Sequence, residues 1–167
     1  MSSGVGIDRV SVGGCVIAIK PVRKTDTQGP VANTWTDISD LAFTYAATNA
    51  SNSIRIQGVI NVGFNHTTNS TYVRFLRDGV LVGAGPVAGS RERATGYGYG
   101  SVSTMMVGIP IDFTEPAGSI ASSIWKAQFM SYNAAGAAYI NRPHTDTDAT
   151  SNARVISSLT LTEFVPS

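Results

Sequence analysis

Apolar and polar side chains alternate along much of this chain, and this period of two constrains the fold more than any other feature of the sequence. The clearest run is Ser53–Phe64, SIRIQGVINVGF, in which Ile54, Ile56, Ile60 and Phe64 share one side. Successive side chains of a β-strand point to opposite faces, so such a run lays one apolar face on a core. Strong helix formers are scarce, with three Lys, three Glu and five Leu. The pattern therefore predicts an all-β protein with few helices.

Two stretches carry more local signals. Residues 71–83, TYVRFLRDGVLVG, have apolar arms on either side of Asp78-Gly79. Asp-Gly readily adopts the positive φ angles of a type I′ turn, so this stretch predicts a β-hairpin. The alternation continues in residues 105–113, but Pro110 has no amide hydrogen for an inner ladder and indicates a sheet edge, a bulge or a bend.

Further strand-like runs complete the pattern, and Gly, Pro, Asn and Asp separate most of them. They are residues 14–20, 34–39, 41–46, 123–132, 137–141 and 154–164. A total of about nine strands with turns between them is typical of two packed antiparallel sheets. We therefore expect an antiparallel β-sandwich of jelly-roll type, with residues 15–167 as a single domain and residues 1–14 as an N-terminal arm or lead-in to the first strand.

The charge content bounds the possible partners. Charged residues make up 14% of the chain, against about 25% in an average soluble domain, so we expect other subunits to cover part of its surface. The formal net charge of +1, without runs of Lys or Arg, argues against a nucleic-acid partner. The N-terminus lacks the pattern of a secretory signal, and no apolar stretch approaches the ~20 residues of a membrane span. We expect assembly in a cytoplasm, without membrane insertion.

Two side chains are expected in the core. Cys15 is the one cysteine, which excludes an intrachain disulfide, and its place in the apolar run CVIAI predicts a small buried side chain. Trp125 alternates with Ala127 and Phe129 in IWKAQF, so it is predicted to be buried rather than to serve as a ligand platform. Without a disulfide, stability must come from packing and from subunit contacts.

Residues 83–100, GAGPVAGSRERATGYGYG, form the main candidate loop, and exposed loops of a sandwich are common recognition sites. Tyr97 and Tyr99 offer rigid rings that stack on a sugar face or on a partner protein. Arg91 and Arg93 offer paired hydrogen bonds to a carboxylate, including that of an acidic sugar. The alternative is that the glycines ease entry into a strand, the tyrosines fill a subunit interface and the arginines solvate the loop.

A second candidate loop, residues 141–152, contains His144, Asp146 and Asp148 at alternate positions. On an extended chain these three side chains would face one way and could meet a hard cation. Repeated Thr-Asp is also ordinary turn chemistry, because both side chains bond nearby backbone amides. We therefore expect no metal and no cofactor, and we keep His144 as a candidate ligand or interface residue.

Catalytic residues are not evident. No motif brings a nucleophile together with a base and an orienting group. A glycosidase needs only two carboxylates and carries no sequence signature, and Asp112, Glu115, Asp146 and Asp148 are the candidates for such a pair. We expect no enzymatic activity, and a hydrolase of surface polysaccharide is the alternative.

Five short phrases carry a family resemblance. YVRFLRDGVLVGAG, GSRERATGYGYG, WKAQF, AAYINR and SSLTLTEF follow one another between roughly Ile54 and Phe164. In pattern and phrase they resemble a group of phage virion proteins, represented by distal domains of tail fibres and related particle-surface proteins. The resemblance implies a trimeric β-sandwich on the surface of a virion, an arrangement with closed symmetry.

The resemblance implies two functions. The first is a homotrimeric tail-fibre or receptor-binding module that contacts other virion proteins and host cell-surface glycan. The sequence contains no collagen-like, coiled-coil or β-helical shaft, which favours the alternative of a capsid decoration protein that stabilises the head without binding a receptor. In both cases we expect the protein in the virion, assembled in the host cytoplasm.

Overall fold

The computed structural model describes residues 14–65, 69–100, 102, 105–132, 136–147 and 152–166, and all regular structure in them is β. Eleven strands lie within these residues. In chain order they are β1 (Val16–Lys24), β2 (Gln28–Val31), β3 (Thr36–Ala46), β4 (Ser53–Phe64), β5 (Asn69–Arg77), β6 (Val80–Val82), β7 (Gly96–Gly100), β8 (Met106–Pro116), β9 (Ser122–Ser131), β10 (Ala138–Ile140) and β11 (Ser157–Phe164). This part of the chain contains no helix of the length and apolarity that would cross a bilayer.

The strands form two antiparallel sheets, the β4 sheet and the β5 sheet. In the β4 sheet, β4 pairs with β8 along one edge and with β11 and then β10 along the other, while β1 extends the sheet beyond β11 and β2 beyond β10. In the β5 sheet, β9 lies between β3 and β5, and β6 and β7 share the far edge of β5. The principal strand orders are thus β1-β11-β4-β8 and β3-β9-β5-β7, which is a jelly-roll sandwich, as predicted.

The core lies between the sheets and is built from one face of each. Its largest enclosed side chains include Phe64 of β4, Phe75 of β5, and Trp125 and Phe129 of β9. Full burial of an apolar side chain contributes about 1.5–3 kcal/mol, so this layer supplies most of the stability. The alternation in β4 and the burial of Trp125, which is 1% exposed, confirm the predicted core.

The structure confirms both local predictions, the β-hairpin at Asp78-Gly79 and the sheet edge, bulge or bend at Pro110. Asp78 and Gly79 join β5 to β6 with φ angles of 50° and 84°, which are the positive values that a type I′ turn needs. Leu76 and Leu81 face each other across this hairpin. Among the described strands β8 pairs with β4 alone, so Pro110 lies on an edge strand, one of the positions in which Pro is tolerated.

The strand prediction is wrong in three places. Residues 34–39 and 41–46 belong to one strand, β3, whose pairing with β9 shifts register between Asp37 and Ala42. Asp40 lies in this shift with a φ of 64°, a left-handed conformation that Asp tolerates, so a bulge lets one strand continue where the alternation breaks. The short strand β2 (QGPV) was not expected, and β7 (GYGYG) was placed in the main candidate loop, with entry into a strand only as the alternative, because Gly and Pro are uncommon inside strands.

The prediction of a buried Cys15 is also wrong, because this cysteine is exposed. Cys15 directly precedes β1, which pairs with β11 alone among the described strands. Val16, Ile17 and Ile19 of the same apolar run are exposed as well, at 52%, 44% and 60%. The run therefore forms an apolar edge on the surface of the protein instead of entering its core.

One carboxylate lies wholly inside the sandwich. Glu163 of β11 is fully buried and accepts hydrogen bonds from the Tyr45 hydroxyl, from the Thr48 amide and hydroxyl at 2.9 and 2.7 Å, and from Asn52 Nδ2 at 2.5 Å. Burial alone would raise the pKa of Glu163, but these donors outweigh it, Tyr45 first, and lower the pKa from 4.5 to about 2. The charged carboxylate thereby ties β11 to the connection between β3 and β4.

Candidate ligand-binding groove on the β5 sheet

Strand geometry places three tyrosines on the outer face of the β5 sheet. Thr71 and Val73 of β5 are fully buried, so Tyr72 between them projects to the opposite side. Tyr97 of β7 lies directly across from Tyr72 in the ladder. Tyr132 follows the last residue of β9, the neighbour of β5 on its other edge. Residues far apart in the sequence are thus brought onto one face by three adjacent strands.

The glycines of β7 explain how Tyr97 is held in this position. A β-carbon on Gly96 would lie 2.5 Å from Ile109 Cγ2, and a β-carbon on Gly98 would lie 3.0 Å from Ile109 Cδ1. A β-carbon on Gly100 would overlap the ring of Phe64. The strand therefore packs its backbone directly on core side chains of the β4 sheet, and its two side chains, both tyrosines, stand on the outer face.

The three rings form a compact aromatic surface. The ring centres of Tyr72 and Tyr97 are 5.5 Å apart, and those of Tyr72 and Tyr132 are 6.0 Å apart with their planes at 82°. Such separations and tilts are typical of favourable aromatic pairs. Partial burial, followed by the neighbouring Tyr97, Tyr132 and Glu92, raises the pKa of Tyr72. Tyr97 and Tyr132 remain 54% and 61% exposed, so their rings are open to a ligand.

The connection between β6 and β7 forms a wall beside these rings and completes a groove of about 700 Å³. Arg91, Glu92 and Arg93 line this wall. Arg93 Nε donates a hydrogen bond to the Gly85 carbonyl at 2.8 Å, which fixes the base of its guanidinium group. A concave volume of this size, with polar and charged groups beside aromatic rings, lies within the range of small-molecule sites.

Beyond the tyrosines, the same face continues as a strip with aromatic and cationic character. The Arg74 guanidinium carbon is 4.1 Å from the ring centre of Trp35, and Arg74 Nε donates to Gln128 at 2.8 Å. Partial burial lowers the pKa of Arg74, and the negative charge of Glu92 opposes this shift. From β7 to the start of β3 the face crosses three interstrand spacings, roughly 14 Å. The strip is therefore longer than a single sugar ring.

The structure brings together three of the five candidate residues. Arg91, Arg93 and Tyr97 line the groove. Tyr99 lies two residues further along β7, on the same outward side and 46% exposed, beyond the groove lining. Sequence reasoning does not find Tyr72 and Tyr132. The available signal for Tyr72 is its polar position in the alternating run TYVRFLR, which places it opposite the core face.

His144 does not join the groove. Its Nδ1 lies 2.9 Å from the hydroxyl of Tyr139, and the Arg142 guanidinium carbon lies 4.3 Å from the Tyr139 ring centre. Asp146, considered with His144 as a cation ligand, accepts a hydrogen bond from Arg154 at 2.8 Å. Asp148 lies outside the described residues. His144 therefore belongs to a separate cluster and does not line the groove with Arg91 and Arg93.

The carboxylates considered for a glycosidase pair are engaged separately. Asp112 binds Arg55 through both oxygens at 2.7 and 2.6 Å, whereas Glu115 accepts a hydrogen bond from the Gly83 amide at 2.8 Å. Asp112 and Glu115 are three residues apart on β8, so they point to opposite faces of the strand. Within the described ranges, no three His, Cys, Asp or Glu side chains are grouped to hold a metal ion.

Comparisons with known proteins give little beyond this geometry. No family of known proteins matches the sequence, and no curated protein matches it. Among solved structures, one titled "Structure of infectious bursal disease virus Gx strain" is similar, with 12% sequence identity and a TM-score of 0.46 over 99% of this chain. The chain spans about half of that structure's chain, 47% of its length. A likeness of this strength carries no argument about function.

Proposed function

We propose that this chain is a virion structural protein displayed on the particle surface, and that it binds host cell-surface glycan through the groove on the β5 sheet. The observation that carries the proposal is the open surface of Tyr72, Tyr97 and Tyr132 beside Arg91 and Arg93. The resemblance of residues 54–164 to phage virion surface proteins supports the location. Jelly-roll sandwiches also serve as viral capsid and lectin domains, which is compatible with both parts of the proposal.

Tyrosine is well suited to this task. Its ring offers a large, rigid surface to the apolar face of a sugar, and its hydroxyl bonds to sugar hydroxyls at the rim. Because it has only two side-chain torsions, holding it in place costs little conformational entropy. The contacts of Tyr72 with Tyr97 and Tyr132 restrict these rings before a ligand arrives. The tyrosine side chains therefore lose less conformational entropy when a ligand binds.

Replacing Tyr97 by Ala is expected to weaken glycan binding by about tenfold or more, because a stacking ring is lost from the groove. Binding is measured on a glycan array and then by calorimetry with the best ligand. Ile124→Ala is the matched control, since Ile124 is a 48% exposed apolar side chain on the outer side of the same sheet, outside the groove lining. Equal weakening in both variants, or a wild-type protein that binds no glycan, would contradict the proposal.

A homotrimer is part of the proposal. The low charge content and the exposed Val16, Ile17 and Ile19 of the edge strand β1 support contact between copies of the chain. We expect light scattering after size-exclusion chromatography to give three times the chain mass of 17.5 kDa. Ile19→Lys should dissociate the assembly, and Val80→Lys, at a 67% exposed hairpin position, should leave it intact. A wild-type monomer at micromolar concentration is the contrary result.

The second candidate function is capsid decoration, and the apolar β1 edge is the observation that favours it. In that case the edge would grip the capsid and the tyrosines would serve subunit packing. Particles that carry Tyr97→Ala separate the candidates. Loss of host adsorption with intact heads supports glycan binding, whereas heads that become fragile without any loss of adsorption support decoration.

A further inference from the structure

We infer that the ligand of the groove is an acidic glycan, and that its sugar carboxylate binds to Arg91 and Arg93 while the sugar ring stacks on the tyrosines. This inference rests on the proposed function, because it names the class of glycan for that same groove. Two features of the wall support it. Its arginines have no carboxylate partner, and its net charge is positive.

The arginines of the wall lack the carboxylate partners that Arg55 and Arg154 have. Arg55 binds Asp112, and Arg154 binds Asp146, each through two hydrogen bonds. In the described part of the chain, neither Arg91 nor Arg93 forms an ion pair, although Glu92 stands between them in sequence. A guanidinium group presents a planar fork of donors that matches the two oxygens of a carboxylate.

Arg93 is partly organised for such a contact. Its Nε already donates to the Gly85 carbonyl, so the group is held at its base, and its two terminal nitrogens remain as donors. Arg91 is exposed on the same wall, two positions earlier. A side chain held at its base loses less conformational freedom when it binds a ligand.

The charge of the wall suits a ligand with one negative charge per bound sugar. Arg91 and Arg93 carry two positive charges and Glu92 one negative charge, which leaves an excess of one. The wall therefore attracts an anion, and a carboxylate matches the planar fork of a guanidinium group. A carboxylated sugar, such as a uronic or sialic acid, combines that single charge with a ring for the tyrosines.

The test uses a panel of acidic oligosaccharides, namely oligogalacturonates and oligosialates, each beside its carboxyl-reduced neutral counterpart. We expect the wild-type protein to bind at least one acidic member about tenfold more tightly than its neutral counterpart, and to lose this preference at high salt. The double variant Arg91→Gln/Arg93→Gln should bind both members equally and retain the weaker, neutral binding. Arg55→Gln is the matched control, because Arg55 is 45% exposed and already paired on the β4 sheet.

The possible results separate failure of the inference from failure of the proposed function. Equal wild-type affinity for acidic and neutral members, or binding to neutral members alone, would overturn the inference and leave glycan binding in place. A preference for acidic members that survives in the double variant would also overturn it. Failure to bind any glycan, either on this panel or on a broad neutral array, would overturn the proposed function together with the inference.

Discussion

The variant Glu163→Gln is expected to lose about 2–4 kcal/mol of unfolding free energy at pH 7, although glutamine has nearly the same shape. The buried carboxylate accepts hydrogen bonds from Tyr45, Thr48 and Asn52, all of which are donors. An amide replaces one accepting oxygen with an NH₂ group that faces these donors, so buried donors lose their partners. Urea unfolding followed by tryptophan fluorescence measures the change.

The same substitution should flatten the acid limb of the stability profile. The folded pKa of Glu163, about 2, lies below the ordinary value of 4.5, so its contribution is complete above pH 4.5 and is lost as the pH falls towards 2. For the wild-type protein this loss amounts to about 3 kcal/mol between pH 6 and pH 2.

The profile of Glu163→Gln should lack this component, so the two proteins converge in stability as the solution is acidified. Tyr45→Phe is the control, because it removes one donor, keeps the charge and should cost only about 1 kcal/mol at pH 7. Parallel profiles for wild type and Glu163→Gln between pH 6 and pH 2 would show that the carboxylate does not act as described.

The variant Gly58→Ala is expected to lose about 3 kcal/mol or more of unfolding free energy. Gly58 lies in the middle of β4 with a φ of 153°, and an added β-carbon would overlap the Ser158 carbonyl oxygen and lie 2.9 Å from Leu159 Cα. These are backbone atoms of β11, which cannot rotate aside as a side chain would. Either β4 and β11 separate, or the residue takes a strained conformation.

Gly85→Ala is the matched control for Gly58→Ala. A β-carbon on Gly85 would meet nothing within 4 Å, and its backbone φ is not positive, so the change should stay within about 0.5 kcal/mol of wild type. Thermal and urea unfolding of both variants make the comparison. A Gly58→Ala protein as stable as Gly85→Ala would show that β4 and β11 do not approach as closely as the structure has them.

The sequence predicts the fold wherever a local pattern determines the structure. Asp78-Gly79 forms its turn from its own φ preferences, and β4 follows directly from its alternation. Where the outcome depends on neighbouring strands, sequence patterns fail. Cys15 belongs to an apolar run, yet its strand lies at a sheet edge, and no local pattern states whether an apolar strand is central or at an edge.

The candidate site was predictable to a similar extent. Arg91, Arg93 and Tyr97 lie within 7 residues of one another in one loop and strand, so sequence reasoning finds them together. Tyr72 and Tyr132 come from other strands, and they join the groove only through the pairing of β5 with β7 and β9. His144 was predicted from its alternation with Asp146 and Asp148, and the fold places it beside Tyr139, outside the groove.

The most direct test of glycan recognition by the β5 sheet is a nuclear magnetic resonance titration of the labelled protein with the tightest oligosaccharide from the array. We expect shift changes to concentrate at Tyr72, Arg93, Tyr97 and Tyr132. Changes confined to the opposite face of the sandwich, around Ile19 and Arg55, would contradict it, and so would a spectrum that no array ligand alters.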